Sequence, residues 1–534
     1  MSADFVFING QVITVDQRNT VVEAVAVKGN RILAAGSTAN IKTFIGPHTE
    51  VIDLNGRSLL PGFIDAHLHL TLHGTNQLAV SCKDPHIESI GDLLTALKQK
   101  AAQTPPGQWV RAWGFNNTKI KEKRYPTRWE LDQISTEHPI MIIRTCGHIS
   151  AVNSKALEIA GINEHTPDPD GGKIERDASG IPTGVLVETA HMAMFEKAQY
   201  TEAELRQGMK LASDAFIAAG ITSVHDAGGY GPENMRVLQQ AIQDGDVKVR
   251  VYAMICSLNN SDLFVQRMID AGILTGCGDE RFKIGPAKVF IDGSSSGPTI
   301  ATREGYTSDP DNYGILYYSQ EELNEILGTA HEKGYQITAH AQGDRAIEML
   351  LNCIEQALKK HLRTNHRHRI EHAGVSTPDL IQRMKKLNVV PIPNPPFIYE
   401  YGDGYITNYG ARVNHMFPAR DFIDQGIIAA GSSDCPVTDY NPLMGIFSAV
   451  NRVTQSGVKA GENQAVSVME AIRMYTWNGA YASFDEHIKG SIEPGKLADL
   501  VVLHQPILDV PPEEIKDVGV DMTMVDGEIV YHAD

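Results

Sequence analysis

The feature that most constrains this chain is a repeated alternation of short apolar runs with longer stretches of helical periodicity. Such an alternation is typical of βα units that build a parallel sheet. Eight candidate strands follow one another at 59–67, 221–226, 247–255, 284–292, 335–341, 367–373, 388–394 and 426–434. Eight such units predict an α/β fold, a (β/α)8 TIM barrel whose catalytic groups collect at the carboxyl ends of the strands.

The interval between the first two candidate strands is much longer than a βα connection requires. We expect residues 74–215 to form an insertion domain, with strand, turn and helix patterns of its own. Loops at the carboxyl end of a barrel frame the active site. The insertion is therefore a candidate lid and substrate-selecting element.

The two ends of the chain have a third pattern, in which short strands are separated by glycine turns. Residues 1–60 include DFVFINGQVITV and AVAVKGNRILAAG, and residues 491–534 include ADLVVL and MTMVDGEIVYH. We expect these ends to be the two parts of one small β-sandwich. Residues 61–490 would then form the barrel together with its insertion.

A formal net charge of −18 over 534 residues narrows the classes of partner. Nucleic acids and anionic membranes attract positive surfaces, so we expect neither, and a small-molecule substrate is the expected ligand. The N-terminus has no basic segment followed by an apolar one, and no run reaches the roughly 18 apolar residues of a membrane span, which favours a cytoplasmic protein. Six scattered cysteines predict free thiols.

Four histidines lie at the ends of candidate strands. His67 and His69 are two residues apart, and side chains at this spacing in a strand point to the same face. His340 ends the run QITAH, and His372 ends RIEH. A single histidine of this kind is more often a core residue, but histidines on three strands that share one edge predict a metal centre.

Two further polar residues occupy strand positions where burial would cost free energy. Asp434 ends AAGSSD, where it would need a metal or a proton partner, or would cap the next helix. Lys288 lies mid-strand in GPAKVFID. Burial favours a neutral lysine amine, which can take up carbon dioxide to form a carbamate. The alternative explanation for Lys288 is a snorkelling lysine or a salt bridge with Asp292.

The order of the motifs resembles amidohydrolase family 3 of the amidohydrolase superfamily, in the branch of the N-substituted formamide deformylases. The motifs span nearly the whole chain, in the order PGFIDAHLH, GHISAVNSKAL, AKVFIDGS, TAHAQGDRAIE, RIEHAG, GSSD and EPGKLADLVVL. The resemblance implies a metal-dependent hydrolase with six metal-site residues: His67, His69, Lys288, His340, His372 and Asp434. It further implies that Lys288 is carboxylated and that Asp434 is the acid/base.

Zinc suits such a set of ligands, as one or two ions. A zinc ion with an open position lowers the pKa of bound water to about 7. We expect the resulting hydroxide to attack a carbonyl, while Asp434 passes the proton of the water to the leaving nitrogen.

Substrate contacts are expected from six more residues: His148, His225, Trp113, Phe115, Phe397 and Tyr399. The family pattern does not require His225, which could touch substrate, support a ligand or bind metal. His148 resembles the histidine of the family's insertion motif and could equally be a hydrogen-bonded loop residue. The aromatic side chains favour an apolar or ring-bearing substituent, although packing would also explain them.

These residues predict a hydrolase that cleaves a carbon–nitrogen bond in a non-peptide amide, such as an N-acyl, N-formyl or cyclic amide. One alternative is a mononuclear deaminase or cyclic-imine hydrolase, which would need the histidines but no carbamate. Another is a non-catalytic scaffold, which would not need a complete set of ligands. Family habit favours a homodimer.

Overall fold

The computed structural model describes residues 2–145, 147, 149–258 and 260–533. By its internal contacts the chain separates into two units. The first combines Met1–Leu70 with Ala212–Asp534, and the second is Thr71–Leu211. The second unit thus occupies the part of the chain for which an insertion is predicted.

Seven parallel strands of the first unit form the barrel sheet, and each pairs with the next in chain order. Their bounds are Phe63–Leu68, Ile221–Asp226, Arg250–Ile255, Phe282–Phe290, Ile337–Ala341, Arg369–His372 and Val390–Ile392. Most of their residues are buried, as expected where a parallel sheet is covered on both faces. The sheet is nearly closed, which makes the fold a TIM-like barrel.

The prediction of an eighth strand at 426–434 is wrong, because this segment is not a regular strand. Isolated backbone hydrogen bonds join this segment to both neighbours: the N–H of Ala430 donates to the oxygen of Pro391 at 3.2 Å, that of Ala66 to the oxygen of Gly431 at 3.1 Å, and that of Asp434 to the oxygen of His67 at 2.8 Å. Asp434 has a φ of 59°, which breaks strand geometry. The segment fills the gap between the seventh and first strands without a continuous ladder.

The predicted first strand, 59–67, is two strands that belong to different sheets. Ser58–Pro61 pairs within a terminal sheet, and Phe63–Leu68 is the first barrel strand. They meet at Gly62, where an added Cβ would lie 2.2 Å from Cγ2 of Thr222. The absence of a side chain therefore lets the backbone pass closely from one sheet to the other.

Two sheets of the first unit are built from the chain ends. In sheet order, the four-stranded one contains Arg31–Gly36, Ala24–Lys28, Phe5–Ile8 and Glu50–Asp53, and the six-stranded one contains Glu528–His532, Val520–Val525, Leu500–Leu503, Ser58–Pro61, Gln11–Ile13 and Val21–Val22. Phe7 and Val25 of the first sheet share one apolar core with Leu59 and Val502 of the second. Both ends of the chain therefore contribute to the same core.

Amphipathic helices cover the barrel strands. Asp344–Lys360 follows the fifth strand and buries one face at helical spacing, formed by Ala346, Ile347, Leu350, Leu351 and Ile354. The other helices of the first unit are Thr38–Ile41, Pro232–Gln243, Ser261–Asp270, Gln320–Glu332, Pro378–Leu387, Pro396–Tyr409, Ala419–Asp424, Pro442–Asn451, Val468–Met474 and Trp477–Ala482, with 3₁₀ turns at Lys42–Phe44, Gly410–His415, Glu462–Gln464 and Pro512–Asp517. Within the described residues, no helix combines the length and apolarity that a membrane span needs.

The second unit has a six-stranded mixed sheet. In sheet order its strands are Gly172–Arg176, Pro182–Glu188, Ile149–Val152, Ile140–Arg144, Val110–Phe115 and Val80–Ser81. Its helices are Ile90–Gln103, Arg128–Asp132, Ser154–Ala160 and Thr189–Lys197, while Leu70–Leu78 and Glu202–Ala218 connect it in sequence to the first unit. Ser89 caps the first of these helices in a capping box with Asp92.

Candidate metal centre

The carboxyl ends of the barrel strands bring the predicted metal-site residues together. His67, His340 and His372 lie at or near the ends of the first, fifth and sixth strands, and Lys288 lies near the end of the fourth. His69 directly follows the first strand, and Asp434 ends the segment that closes the barrel. All are buried except His340, which is half-buried.

Three of these residues are close enough to share one cation. Ligand atoms of His67, His372 and Asp434 all lie within 4.8 Å of one another. Oδ1 of Asp434 is 3.4 Å from Nε2 of His67 and 3.4 Å from Nε2 of His69. Zinc bonds of about 2.0–2.2 Å in tetrahedral geometry place ligand atoms roughly 3.4 Å apart, so these groups fit a divalent metal.

Each of the four histidines has one ring nitrogen held by an oxygen acceptor. The pairs are His67 Nδ1 with Glu371 at 2.5 Å, His69 Nδ1 with the Gly228 carbonyl at 2.7 Å, His372 Nδ1 with Asn394 Oδ1 at 2.7 Å, and His340 Nε2 with the Gly293 carbonyl at 2.8 Å. A nitrogen that donates to such an oxygen carries the hydrogen. The opposite nitrogen of a neutral ring is therefore available to a metal, as in most metal-binding histidines.

The protonation states of the site residues also favour the binding of a cation. Burial lowers the pKa of His340 to about 4, and burial with the neighbouring His340 lowers the pKa of His372 well below its ordinary value. Burial acts to raise the pKa of Asp434, but the facing His67 and His69 imidazoles outweigh it and hold that pKa well below its usual range. At neutral pH His340 and His372 are therefore neutral imidazoles, and Asp434 is a charged carboxylate.

The backbone at His372 explains how two consecutive residues reach the same site. Successive side chains of a strand point to opposite faces. His372 has a φ of 72°, in the left-handed region that non-glycine residues seldom adopt. Glu371 contacts His67, and the His372 ring lies 4.7 Å from the His67 ring. The turn at His372 thus permits both side chains to face the interior.

Lys288 is completely buried beside the ligands. Its Nζ lies 3.4 Å from Nε2 of His67 and donates to the Ala227 carbonyl at 3.3 Å. Asp292, the salt-bridge partner considered above, instead accepts backbone N–H groups of Ala301, Gln342 and Gly343. Lys288 therefore neither snorkels nor pairs with Asp292.

Asp434 does not cap the next helix, which was its alternative role, because another residue does so. The next helix, Pro442–Asn451, is capped by the side chain of Asn441, which accepts from the N–H of Leu443. The Asp434 side chain is thus left to the histidines that face it.

The expected substrate contacts in the first unit are buried or half-buried. His225 is completely buried, and its Nδ1 lies 2.9 Å from the Arg369 guanidinium. Phe397 is buried in an aromatic cluster, with its ring 6.2 Å from that of His372. Tyr399 packs against Phe447, with ring centroids 5.7 Å apart. These contacts stay predictions.

Three expected contacts fall in the second unit. Phe115 is buried in the apolar core of that unit, with its ring 5.7 Å from Tyr125, and Trp113 packs against a neighbouring core cluster. Packing accounts for both positions, and a role in substrate binding stays a prediction. His148 lies outside the described residues.

Sequence reasoning missed the residues that support the ligands. Glu371 precedes His372 directly, and its spacing of two from Arg369 could have indicated a polar inward face. Asp65, two residues before His67, accepts from the Ser433 hydroxyl at 2.5 Å, and burial raises the pKa of Asp65 to about 7. Asn394 contacts His372 from the loop after the seventh strand, a position with no local signal.

Known proteins resemble this chain along its full length. A 32% identical relative, N-substituted formamide deformylase of Arthrobacter pascens, aligns over 99% of this chain and 98% of its own. The putative amidohydrolase YtcJ of Bacillus subtilis (strain 168) is 33% identical over 98% of each chain. Among solved structures, an uncharacterized metal-dependent hydrolase from Pyrococcus horikoshii OT3 has a TM-score of 0.80 at 26% identity, covering 95% of this chain and 99% of that one.

The family model described as "Amidohydrolase family" matches residues 50–531. This match takes in the barrel, the second unit, one strand of the four-stranded terminal sheet and most of the six-stranded one. The resemblance seen in the sequence motifs is therefore confirmed, and the chain belongs to amidohydrolase family 3, within the metal-dependent amidohydrolase superfamily.

Proposed function

We propose that this amidohydrolase cleaves the carbon–nitrogen bond of a small non-peptide amide, an N-formyl, N-acyl or cyclic amide. The observation that carries the proposal is the convergence of His67, His372 and Asp434 within 4.8 Å of one another. His69, Lys288 and His340 surround them at the same end of the barrel. The deformylase activity named for one relative supports an amide as the substrate class.

The ligand set suits one or two divalent ions, with zinc the best match to imidazole and carboxylate donors. A bound ion of this kind acts as a Lewis acid and provides hydroxide at neutral pH. His67, His372 and Asp434 would hold the first ion. His340 and a carboxylated Lys288 would contribute to a second.

Asp434 is the proposed general acid/base. The carboxylate is charged at neutral pH, so it can accept a proton from the attacking water. Returning that proton to the amide nitrogen makes the nitrogen a competent leaving group. Burial excludes bulk water and strengthens the electrostatic interactions of this carboxylate.

We further propose that Thr71–Leu211 is a substrate-selecting insertion domain and that the two terminal sheets form one β-sandwich. The shared apolar core of the terminal sheets supports the second statement. A cytoplasmic location and a homodimer stay predictions.

The test is to remove metal with a chelator, reload the protein with zinc or manganese, and screen N-formyl, N-acyl and cyclic amides. We expect hydrolysis by the loaded protein alone. Asp434→Asn should lower kcat by about 10²–10⁴-fold because the acid/base is lost. The matched control is Asp439→Asn, which changes an exposed carboxylate nearby and should leave kcat unchanged.

Two results would contradict the proposal. A loaded protein that releases ammonia from amino-heterocycles or opens cyclic imines, but hydrolyses no amide, would favour the mononuclear deaminase or cyclic-imine hydrolase. A protein that binds neither zinc nor manganese would favour the non-catalytic scaffold.

A further inference from the structure

A buried chain of polar groups lies directly beneath the candidate metal centre. Glu371 accepts a hydrogen bond from His67 Nδ1 through Oε2 at 2.5 Å. The other carboxylate oxygen, Oε1, accepts from the Thr338 hydroxyl at 2.7 Å. Glu371 and His67 are completely buried. A carboxylate in such a place is stable only when its oxygens are well paired.

Arg369 provides that pairing from the same strand. Its Nε donates to Oε1 of Glu371 at 2.8 Å and one terminal nitrogen donates to Oε2 at 2.8 Å, a bidentate pair. The same terminal nitrogen donates to the Ala66 carbonyl at 2.7 Å, next to His67 in the chain. The other terminal nitrogen donates to Nδ1 of His225 at 2.9 Å. His225 is thus the last residue in this chain of contacts, and it is completely buried.

We propose that Glu371, fixed by Arg369 and Thr338, is a positioning residue of the metal centre: it keeps the hydrogen of His67 on Nδ1 and aims Nε2 at the metal. The inference rests on the proposed function, because it assumes that His67 is a ligand. In this proposal His225 is a neutral hydrogen-bond acceptor that orients Arg369, rather than a substrate contact.

The geometry distinguishes this role from a purely structural ion pair. A second, partly buried arginine–glutamate pair involves Arg367, two residues before Arg369. Both terminal nitrogens of Arg367 donate to the Glu486 carboxylate, at 2.8 and 2.7 Å. Glu486 is paired like Glu371, but within the described residues it has no hydrogen bond to a candidate ligand. Of these two carboxylates, only that of Glu371 joins an arginine to a metal-site histidine.

The experiment compares zinc affinity in wild type, Glu371→Gln and the matched control Glu486→Gln, by competition with a chelator of known affinity. Loss of a hydrogen-bond partner behind a metal ligand typically weakens metal binding by about 10–100-fold. We expect that loss for Glu371→Gln and a change within about 2-fold for Glu486→Gln. The visible spectrum of the cobalt-loaded protein should change only in Glu371→Gln, because a structural pair would not alter the geometry at the metal.

Glu371→Gln leaves the Arg369 charge without its partner and could fail to fold. Thr338→Val provides the second test, since it keeps both charges and nearly the same volume while removing one hydrogen bond to Glu371. We expect it to weaken zinc binding in the same direction, by a smaller factor than Glu371→Gln.

Unchanged zinc affinity and an unchanged cobalt spectrum in folded Glu371→Gln would overturn the inference. If Glu371→Gln does not fold, unchanged values in Thr338→Val would overturn it. A wild type that binds zinc but hydrolyses no amide would contradict the proposed function alone. The two failures are therefore distinguishable.

Discussion

At the scale of single residues, Lys288 is the residue on which the proposed second metal ion depends. It lies completely buried, 3.4 Å from Nε2 of His67, with a carbonyl oxygen as its other hydrogen-bond partner. Its Nζ also lies 5.0 Å from the centroid of the Phe290 ring. A carbamate formed here would place two oxygens among the histidines, whereas an unmodified amine would add no ligand for a second ion.

We predict that Lys288→Ala lowers the metal content and reduces hydrolysis by at least about 100-fold, because the oxygens of the proposed carbamate would be lost and each 1.4 kcal/mol of lost stabilisation is tenfold in rate. The measurements are metal analysis of the purified variant and kcat/KM for the best amide. Acetate or propionate, which can enter the space left by the side chain, should restore part of the activity. The same acids added to wild type are the control and should give no gain. An active variant with one metal would instead support the mononuclear alternative.

At the scale of elements, a hydrogen-bonded group of histidines connects the start of the sixth barrel strand to neighbouring segments. The His366 ring accepts the backbone N–H of His368 at 2.9 Å, and the His368 ring accepts that of Ile337 at 3.1 Å. His368 Nε2 lies 2.8 Å from Nδ1 of His331, whose Nε2 contacts the His361 carbonyl at 2.7 Å. Each accepting ring must be neutral, so this hydrogen-bonded group is compatible with only one set of tautomers.

This group predicts a loss of stability in mild acid. Burial lowers the pKa of His366 to about 4 in the folded chain, whereas an unfolded histidine has a pKa of about 6.5. Below pH 6.5 the unfolded state binds more protons than the folded state, so the contribution of His366 is complete above pH 6.5 and is lost as pH falls towards 4. The free energy of unfolding should therefore decrease across this window.

The measurement is urea unfolding of the metal-free protein between pH 7.5 and 4.5, for wild type and His366→Asn. Asparagine keeps an acceptor near Nδ1 but does not titrate, so the variant should lose less stability with falling pH than wild type. Metal-free protein is used because acid also releases metal from the other histidines. Parallel pH profiles for the two proteins would show that His366 does not contribute.

At the scale of the whole molecule, one arginine joins the barrel to the C-terminal part of the chain. Arg250, the first residue of the third barrel strand, forms a bidentate pair with Asp499 at 2.7 and 3.0 Å and contacts Asp526 at 2.9 Å. The Arg250 and Asp499 side chains are almost completely buried. The charges of this pair are thus satisfied only when the terminal sheet and the barrel strand are both formed.

We predict that Arg250→Met lowers the free energy of unfolding by roughly 3–5 kcal/mol, because it leaves Asp499 buried without its counterion. Chemical unfolding followed by circular dichroism would measure this loss. Arg236→Met, which removes an exposed pair with Glu233 on a surface helix, is the control and should change stability by less than about 1 kcal/mol. Equal effects of the two substitutions would contradict the role assigned to Arg250.

The sequence by itself determined the strands and the residue types of the site. Seven of the eight predicted barrel strands overlap those of the structure, because a short apolar run between helical patterns is a local property. His67, His340 and His372 could be singled out for a similar reason, since each lies at the end of such a run. The family was also evident from motifs that each span only a few residues.

Only the tertiary structure decided how those residues are supported and how the barrel closes. His67 and Glu371 are 304 residues apart in sequence, and no local pattern relates them. The positive φ values of His372 and Asp434, and the close passage of the backbone at Gly62 past Thr222, depend on neighbours from distant segments. Hydrogen bonds and close contacts between distant segments form only when the chain is folded, so periodicity can indicate which residues face inward but not which of them meet.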